Sequence, residues 1–145
     1  MKNNMKLEFL SVSENEKFAR TSVAAFAAQL NPTLDEIEDI KAAVSEAVTN
    51  AIIHGYKRTT GFVYICCELE NNTVKITITD KGFGIENIDL ARTPLYTGSD
   101  DSERSGLGFT VMETFMDTVT VESTLGKGTT VTLIKKIDGH SPSSL

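Results

Sequence analysis

Leu7 and Phe9 alternate with Lys6 and Glu8, and this period of two predicts an opening strand. From about Glu14 to Leu30 the spacing becomes helical, with Phe18, Val23, Phe26, Ala27 and Leu30 on the apolar side. Ser13 is the candidate cap of that helix, and Pro32 ends the segment. Thr33-Leu34-Asp35-Glu36 then reads as a capping box, because a threonine hydroxyl and a glutamate three residues on can satisfy each other's free backbone N–H groups. Behind it Ile37, Ile40, Val44, Ala47, Val48 and Ala51 recur at helical spacing, with Gly55 as the expected stop. Phe62 to Glu70 and Thr73 to Asp80 read as strands joined by Asn71-Asn72, a two-residue hairpin turn. A polar, irregular stretch runs from Lys81 to Ser105. Gly108 to Asp117 reads as a helix, and Val119 to Ser123 with Thr130 to Ile137 as a second hairpin around Leu125-Gly126-Lys127-Gly128. This order predicts an α+β (α/β) two-layer sandwich with a mixed, mostly antiparallel sheet.

Length and composition narrow the picture. At 145 residues the chain fits one domain, expected over residues 1–138, with a flexible tail over 139–145. A formal charge of −6 speaks against direct nucleic-acid binding, which needs clustered Lys and Arg to neutralise phosphates. Cys66 and Cys67 are adjacent, so on a strand they point to opposite faces and are poorly placed to pair. The opening Met1-Lys2-Asn3-Asn4-Met5-Lys6 is no signal peptide, and no apolar run approaches the roughly 20 residues that span a bilayer, so the expected compartment is the cytoplasm.

Certain residues do not fit a plain core. Period two places Asp80 on the same strand face as Val74, Ile76 and Ile78, where an unpaired carboxylate is costly. It either caps the following turn or, with Gly82 and Gly84 beside it, accepts from an adenine amino group at the base of a pocket. Glu46 and Asn50 lie one turn apart on a helical stripe shared with Ala43 and Ile53. Such a pair is either a solvated face or a general base beside a magnesium ligand, and His54 extends the stripe. Ser105-Gly106-Leu107-Gly108-Phe109 precedes a helix and is either only a turn or a phosphate cradle, since free N–H groups and the helix dipole favour phosphate there; Arg104 either stands exposed without a ligand or reaches a terminal phosphate. Gly126-Lys127-Gly128-Thr129-Thr130, taken alone, is a hairpin loop.

In this order the features resemble the GHKL superfamily, which includes gyrase, the ninety-kilodalton heat-shock chaperone and histidine kinases. Glu46…Asn50 is similar to the N box, and Asp80-Lys81-Gly82-Phe83-Gly84 to the first glycine box. Gly106-Leu107-Gly108-Phe109 is similar to the second, and Gly126 to Thr130 to the closing glycine–threonine element. Val44 to Tyr56 and Glu103 to Thr110 resemble most the anti-sigma factor serine kinases of that superfamily. The resemblance implies the Bergerat fold with helices on one sheet face, ATP and magnesium as cofactors, and a homodimer. It also implies two partners: a sigma-F-like sporulation sigma factor, held inactive, and an anti-anti-sigma protein, phosphorylated on serine. By position, Asn50 would ligate magnesium, Glu46 would be the general base and Asp80 the acceptor for adenine, with Gly84 and Thr130 nearby. Gly106 and Gly108 would contact phosphates under a mobile lid over about Ile85 to Ser105. For sigma capture the candidates are Glu16 and Arg20, four residues apart on the expected outer face of the first helix.

Three other readings compete. A histidine kinase module needs a phosphoacceptor histidine on a helical hairpin, but this chain has only His54 and His140. A pure ATP-responsive sigma-binding protein without turnover is the alternative from another class, against which Glu46 counts. A metabolic ATPase would need a substrate domain.

Overall fold

The computed structural model describes residues 2–57, 59–92 and 107–139. The chain runs β1 (Lys2–Leu10), α1 (Glu14–Ala27), a 3₁₀ turn (Ala28–Leu30), α2 (Leu34–Asn50), a π turn (Ala51–Gly55), β2 (Phe62–Glu70) and β3 (Thr73–Asp80). It continues through the short α3 (Ile88–Ala91), α4 (Leu107–Phe115), β4 (Thr118–Thr124) and β5 (Gly128–Lys136). One sheet of order β1-β2-β3-β5-β4 results, and each neighbouring pair is antiparallel. The expected mostly antiparallel sheet is thus antiparallel in all its described pairings.

Strand alternation decides the core. Val63, Ile65, Cys67 and Leu69 of β2 and Val74, Ile76 and Ile78 of β3 are buried on one face, beneath Ile40, Val44, Ala47 and Val48 of α2. Each such Ile, Leu or Val contributes roughly 1.5–3 kcal/mol when fully buried. α2 packs against both α1 and α4, so it is the central element of the helical layer. Asn71 and Asn72 both have positive φ, 51° and 57°, the backbone that a two-residue turn between twisted strands requires.

The capping box forms, and it does more than start α2. Thr33 Oγ1 accepts from Glu36 N at 3.2 Å, and Glu36 Oε1 accepts from Thr33 N at 2.8 Å. The same carboxylate accepts from Asp138 N at 2.7 Å and Gly139 N at 3.0 Å, so it ties the start of α2 to the chain leaving β5. Gly139, expected to begin the tail, is therefore held to the domain. Residues 140–145 lie outside the described residues.

Two readings of α1 are corrected. Ser13 has helical backbone angles and makes no side-chain cap; instead Asn15 Nδ2 donates to Leu10 O at 2.9 Å and closes the turn into the helix. The buried stripe is Ala19, Val23 and Ala27, spaced by four, and this rotates Phe18 outward to 53% exposure. Small alanines let α1 approach its neighbours closely, so the larger Phe18 is not needed inside. Among the described residues no helix is long and apolar enough to cross a membrane.

Candidate functional site

The end of α2 is continued by the π turn, in which Tyr56 N donates to Ala51 O at 3.0 Å. A π turn adds a residue to the helical register and is frequent at functional sites. Here it brings Gly55 against the end of β3. Upstream of it, Glu46 and Asn50 face the first turn of α4. A Cβ on Gly108 would lie 3.1 Å from Glu46 Oε2 and 3.2 Å from Asn50 Nδ2, so a larger residue there would need both side chains to give by a few tenths of an ångström. Asn50 Oδ1 is buried with no hydrogen-bond partner among the described residues. An acceptor left in that state costs about 1–3 kcal/mol unless a ligand supplies the missing contact.

At the other end of the site Asp80 closes β3, 5% exposed, as the alternation predicts. Burial pushes its carboxyl above the usual carboxylate range, while the N–H groups of Gly82 and Thr129 pull the other way. Gly82 N donates to Oδ1 at 2.9 Å. The turn-capping reading of Asp80 therefore holds, with one oxygen accepting from Gly82 N, and the residue also lines a cavity.

That cavity has a volume of about 560 Å³, in the range of small-molecule sites. Ala47, Ala51, Ile78, Phe109 and Val131 give it an apolar floor, and Asn50, His54, Asp80 and Thr129 bring polar groups to it. Glu46 is not in its lining; it sits one turn back, under Gly108.

The glycines of the first box act differently from the expectation. A Cβ on Gly82 would lie 1.9 Å from Gly55 O, so Gly82 makes room for the protein's own backbone and does not line the cavity. Gly84 does line it, but its φ of +78° and the nearness of Thr124 O, 2.4 Å from a Cβ there, are what demand glycine. Gly126 N donates to Phe83 O at 2.7 Å, so the β4–β5 turn is clasped to this box and is more than a free hairpin loop.

Thr130 is a further correction. It lies on the sheet face away from the cavity, with its hydroxyl 3.2 Å from that of Thr79. Its neighbour Thr129 lines the cavity and pairs with Asp80 across the strands. Thr129 Oγ1 is 2.8 Å from Ser123 Oγ, which also accepts from Ile85 N at 2.7 Å. Period two along β5, counted from buried Val131 and Leu133, would have selected Thr129. Lys57, another cavity residue that the sequence did not single out, has a φ of 54° and an ammonium 4.8 Å above the Phe83 ring.

Arg104, Ser105 and Gly106 lie outside the described residues, as does the expected lid from residue 93 on; Leu107 opens α4. The part of that stretch that is described is not wholly irregular. Asn87 Oδ1 caps α3 at Leu90 N, 3.1 Å away, and Arg92 Nε donates to Glu113 Oε1 at 3.0 Å. Glu16 and Arg20 form an ion pair of 3.4 Å on a half-buried flank of α1, with Glu16 Oε2 buried. The outer face expected for them carries Lys17, Phe18 and Thr21 instead, because the buried stripe runs through Ala19 and Val23.

Comparison with known proteins agrees with this arrangement. The family model described as histidine kinase-like ATPase domain matches residues 12–135. The chain is 58% identical over 136 residues to the anti-sigma F factor of Clostridium acetobutylicum, covering 94% of this chain and 95% of that protein. It is 60% identical over 137 residues to the anti-sigma F factor of Clostridium beijerinckii, with 94% and 96% covered. The anti-sigma F factor of Anoxybacillus flavithermus is 57% identical over 138 residues, with 94% of each covered. In fold, the chain is similar to the crystal structure of the RsbU and RsbW domains of Rv1364c from Mycobacterium tuberculosis, with a TM-score of 0.68 at 19% identity. That likeness covers 93% of this chain and 32% of the longer one.

Proposed function

Because the chain belongs to the histidine kinase-like ATPase family and, within it, to the anti-sigma F factors, we propose that it restrains a sigma-F-like sporulation sigma factor and uses ATP to phosphorylate a serine of the opposing anti-anti-sigma protein. The observation that carries the reading is that Asp80 and Asn50 line one cavity, with Glu46 one turn back from Asn50 and both of these against the first turn of α4. On this reading the protein is a homodimer acting in the cytoplasm, where its sigma factor acts.

The Asp80 carboxylate accepts a hydrogen bond from the adenine amino group, with the Thr129 hydroxyl beside it. The apolar floor takes the base and excludes water from it. By their place in the second glycine box, Ser105, Gly106, Leu107 and Gly108 offer backbone N–H groups to the phosphates at the start of α4, and Arg104 pairs with the terminal one. Magnesium fits the residues present: Asn50 Oδ1 is a buried oxygen without a partner among the described residues, and hard cations take oxygen ligands. Among the described residues no cluster of three or more His, Cys, Asp or Glu could cage a metal, which suits an ion held mainly by phosphates and one side chain. When bound, magnesium neutralises charge on the phosphate oxygens during transfer.

Glu46 takes the proton of the incoming serine as its Oγ bonds to the terminal phosphorus and the bond from that phosphorus to the bridging oxygen breaks, leaving ADP. Glu16 and Arg20 remain the candidates for the sigma-factor surface, as an ion-paired flank rather than an outer face. The test is to incubate the protein with labelled ATP, magnesium and the anti-anti-sigma protein, then to locate phosphoserine. Label on serine supports the kinase; sigma-factor binding without label would leave a clamp only.

A further inference from the structure

Three successive backbone N–H groups follow Asp80, and each has a separate acceptor. Lys81 N donates to Tyr56 Oη at 2.8 Å, Gly82 N to Asp80 Oδ1 at 2.9 Å, and Phe83 N to Gly55 O at 2.7 Å. Two of the three acceptors belong to the dipeptide Gly55-Tyr56 at the end of the π turn. Tyr56 is 6% exposed, and its hydroxyl donates to Phe62 O at 2.5 Å. Phe62 begins β2, and the next residue, Val63, pairs with Asp80. One hydroxyl thus joins the π turn, the start of β2 and the backbone just after Asp80. Burial above all, with the charge of Asp80 adding to it, raises the Tyr56 phenol above its ordinary value, so it keeps the proton it donates.

We propose that Tyr56 is a positioning residue for base selection, its hydroxyl holding Lys81 N so that the Asp80 carboxylate is aimed at the amino group of the purine. The argument is one of competition. Lys81 N and Gly82 N are adjacent donors beside one carboxylate, and the hydroxyl takes the first of them away. Without it Lys81 N is a part-buried donor lacking its partner, free to turn to the Asp80 carboxylate that already accepts from its neighbour Gly82 N. A carboxylate turned toward both N–H groups has less acceptor capacity left for a ligand. The phenyl ring is not what does this, so the hydroxyl can be removed with the packing kept.

The inference rests on the nucleotide reading of the cavity, and the experiment separates the two. Wild type, Tyr56→Phe, Asp80→Asn and the double variant are titrated calorimetrically with ATP and with purine riboside triphosphate, which carries hydrogen in place of the 6-amino group. Thermal melts run alongside confirm that each variant is folded. Tyr56→Phe is expected to weaken ATP by about three- to tenfold, a typical hydrogen-bond effect, while the analogue binds as before. In the Asp80→Asn background the same change should no longer affect ATP. Equal weakening of both nucleotides, or additive effects of the two substitutions, would assign Tyr56 a general structural role and overturn the proposal. Wild type that binds neither nucleotide would instead bring down the nucleotide reading, and this inference with it. Should Tyr56→Phe melt below assay temperature, Asp80→Asn alone still decides: an unchanged preference for ATP over the analogue removes the group through which Tyr56 is said to act.

Discussion

A Cβ on Gly55 would lie 2.6 Å from Asp80 Cγ and 2.7 Å from each carboxylate oxygen, so the bare backbone of one residue is the wall against which the other is set. Gly55→Ala should therefore push the carboxylate out of line. Overpacking of this kind costs about 1–3 kcal/mol, and ATP affinity should fall by about tenfold or more. Isothermal calorimetry beside a thermal melt separates the two effects; wild-type affinity in the variant would show that this wall does not aim Asp80.

Asp80→Asn keeps the shape and replaces an acceptor-only group with an amide. ATP binding should weaken by more than about tenfold, roughly 1.4 kcal/mol, and GTP should bind poorly to the wild type for the same reason. Equal calorimetric affinities of wild type and variant for ATP would end the adenine assignment.

Glu46→Gln separates catalysis from capture. The carboxylate lies against Gly108 and outside the cavity lining, so ATP and sigma-factor binding should change little. Serine phosphorylation should fall by about 10²–10⁴-fold, the usual contribution of a general base. Single-turnover transfer at the wild-type rate would show that the proton goes elsewhere.

Asn50→Ala removes the buried Oδ1 that lacks a partner among the described residues. The variant should stay folded, lose phosphoryl transfer, and bind ATP with an affinity that no longer responds to magnesium. A magnesium titration of ATP affinity that matches the wild type would take Asn50 out of the metal site.

Glu36 predicts an acid-sensitive clasp. Burial raises its carboxyl, but N–H donors from Thr33, Asp138 and Gly139, with the Thr33 hydroxyl, outweigh it and hold the folded value below 4.5. A depressed carboxylate contributes fully above its unfolded value and is lost as pH falls through the folded one. Melts should thus show stability draining away below about pH 4.5. Glu36→Ala should cost about 1 kcal/mol at neutral pH and lose this part of the acid dependence. An unchanged acid slope in the variant would locate the sensitivity in other groups.

Much of this was legible where one local rule governs a residue. Strand alternation alone set Asp80 on the buried face of β3, and the Thr33–Glu36 spacing announced its box. The ordered motifs located the cavity's two ends. What escaped was set by contacts distant in sequence. Gly82 answers to Gly55 O, and Gly84 to Thr124 O, neither of which a motif reveals. Phe18 is exposed because small alanines took the buried stripe of α1, and helical spacing permits either stripe. Choosing Thr129 over Thr130 required the phase of β5, which Val131 and Leu133 carried in plain sight. The role of Tyr56 had no local signal, since its partners Phe62 and Lys81 lie on two different strands' ends.

The strand order carries one more consequence, for the time at which the site comes into being. Among the described residues β5 is the last strand in chain order, yet it lies inside the sheet, between β3 and β4. Synthesis proceeds from the other end, so β4 emerges with no partner and β3 keeps one edge bare until β5 arrives. Thr129 and Val131, two walls of the cavity, come with that final strand. The nascent chain therefore carries Glu46, Asn50 and Asp80 with no enclosed place to put a nucleotide, and closure of the sheet and birth of the pocket are a single event. Contacts of such long sequence separation form slowly. A nucleotide that bound only the closed form would favour docking of the last strand by mass action.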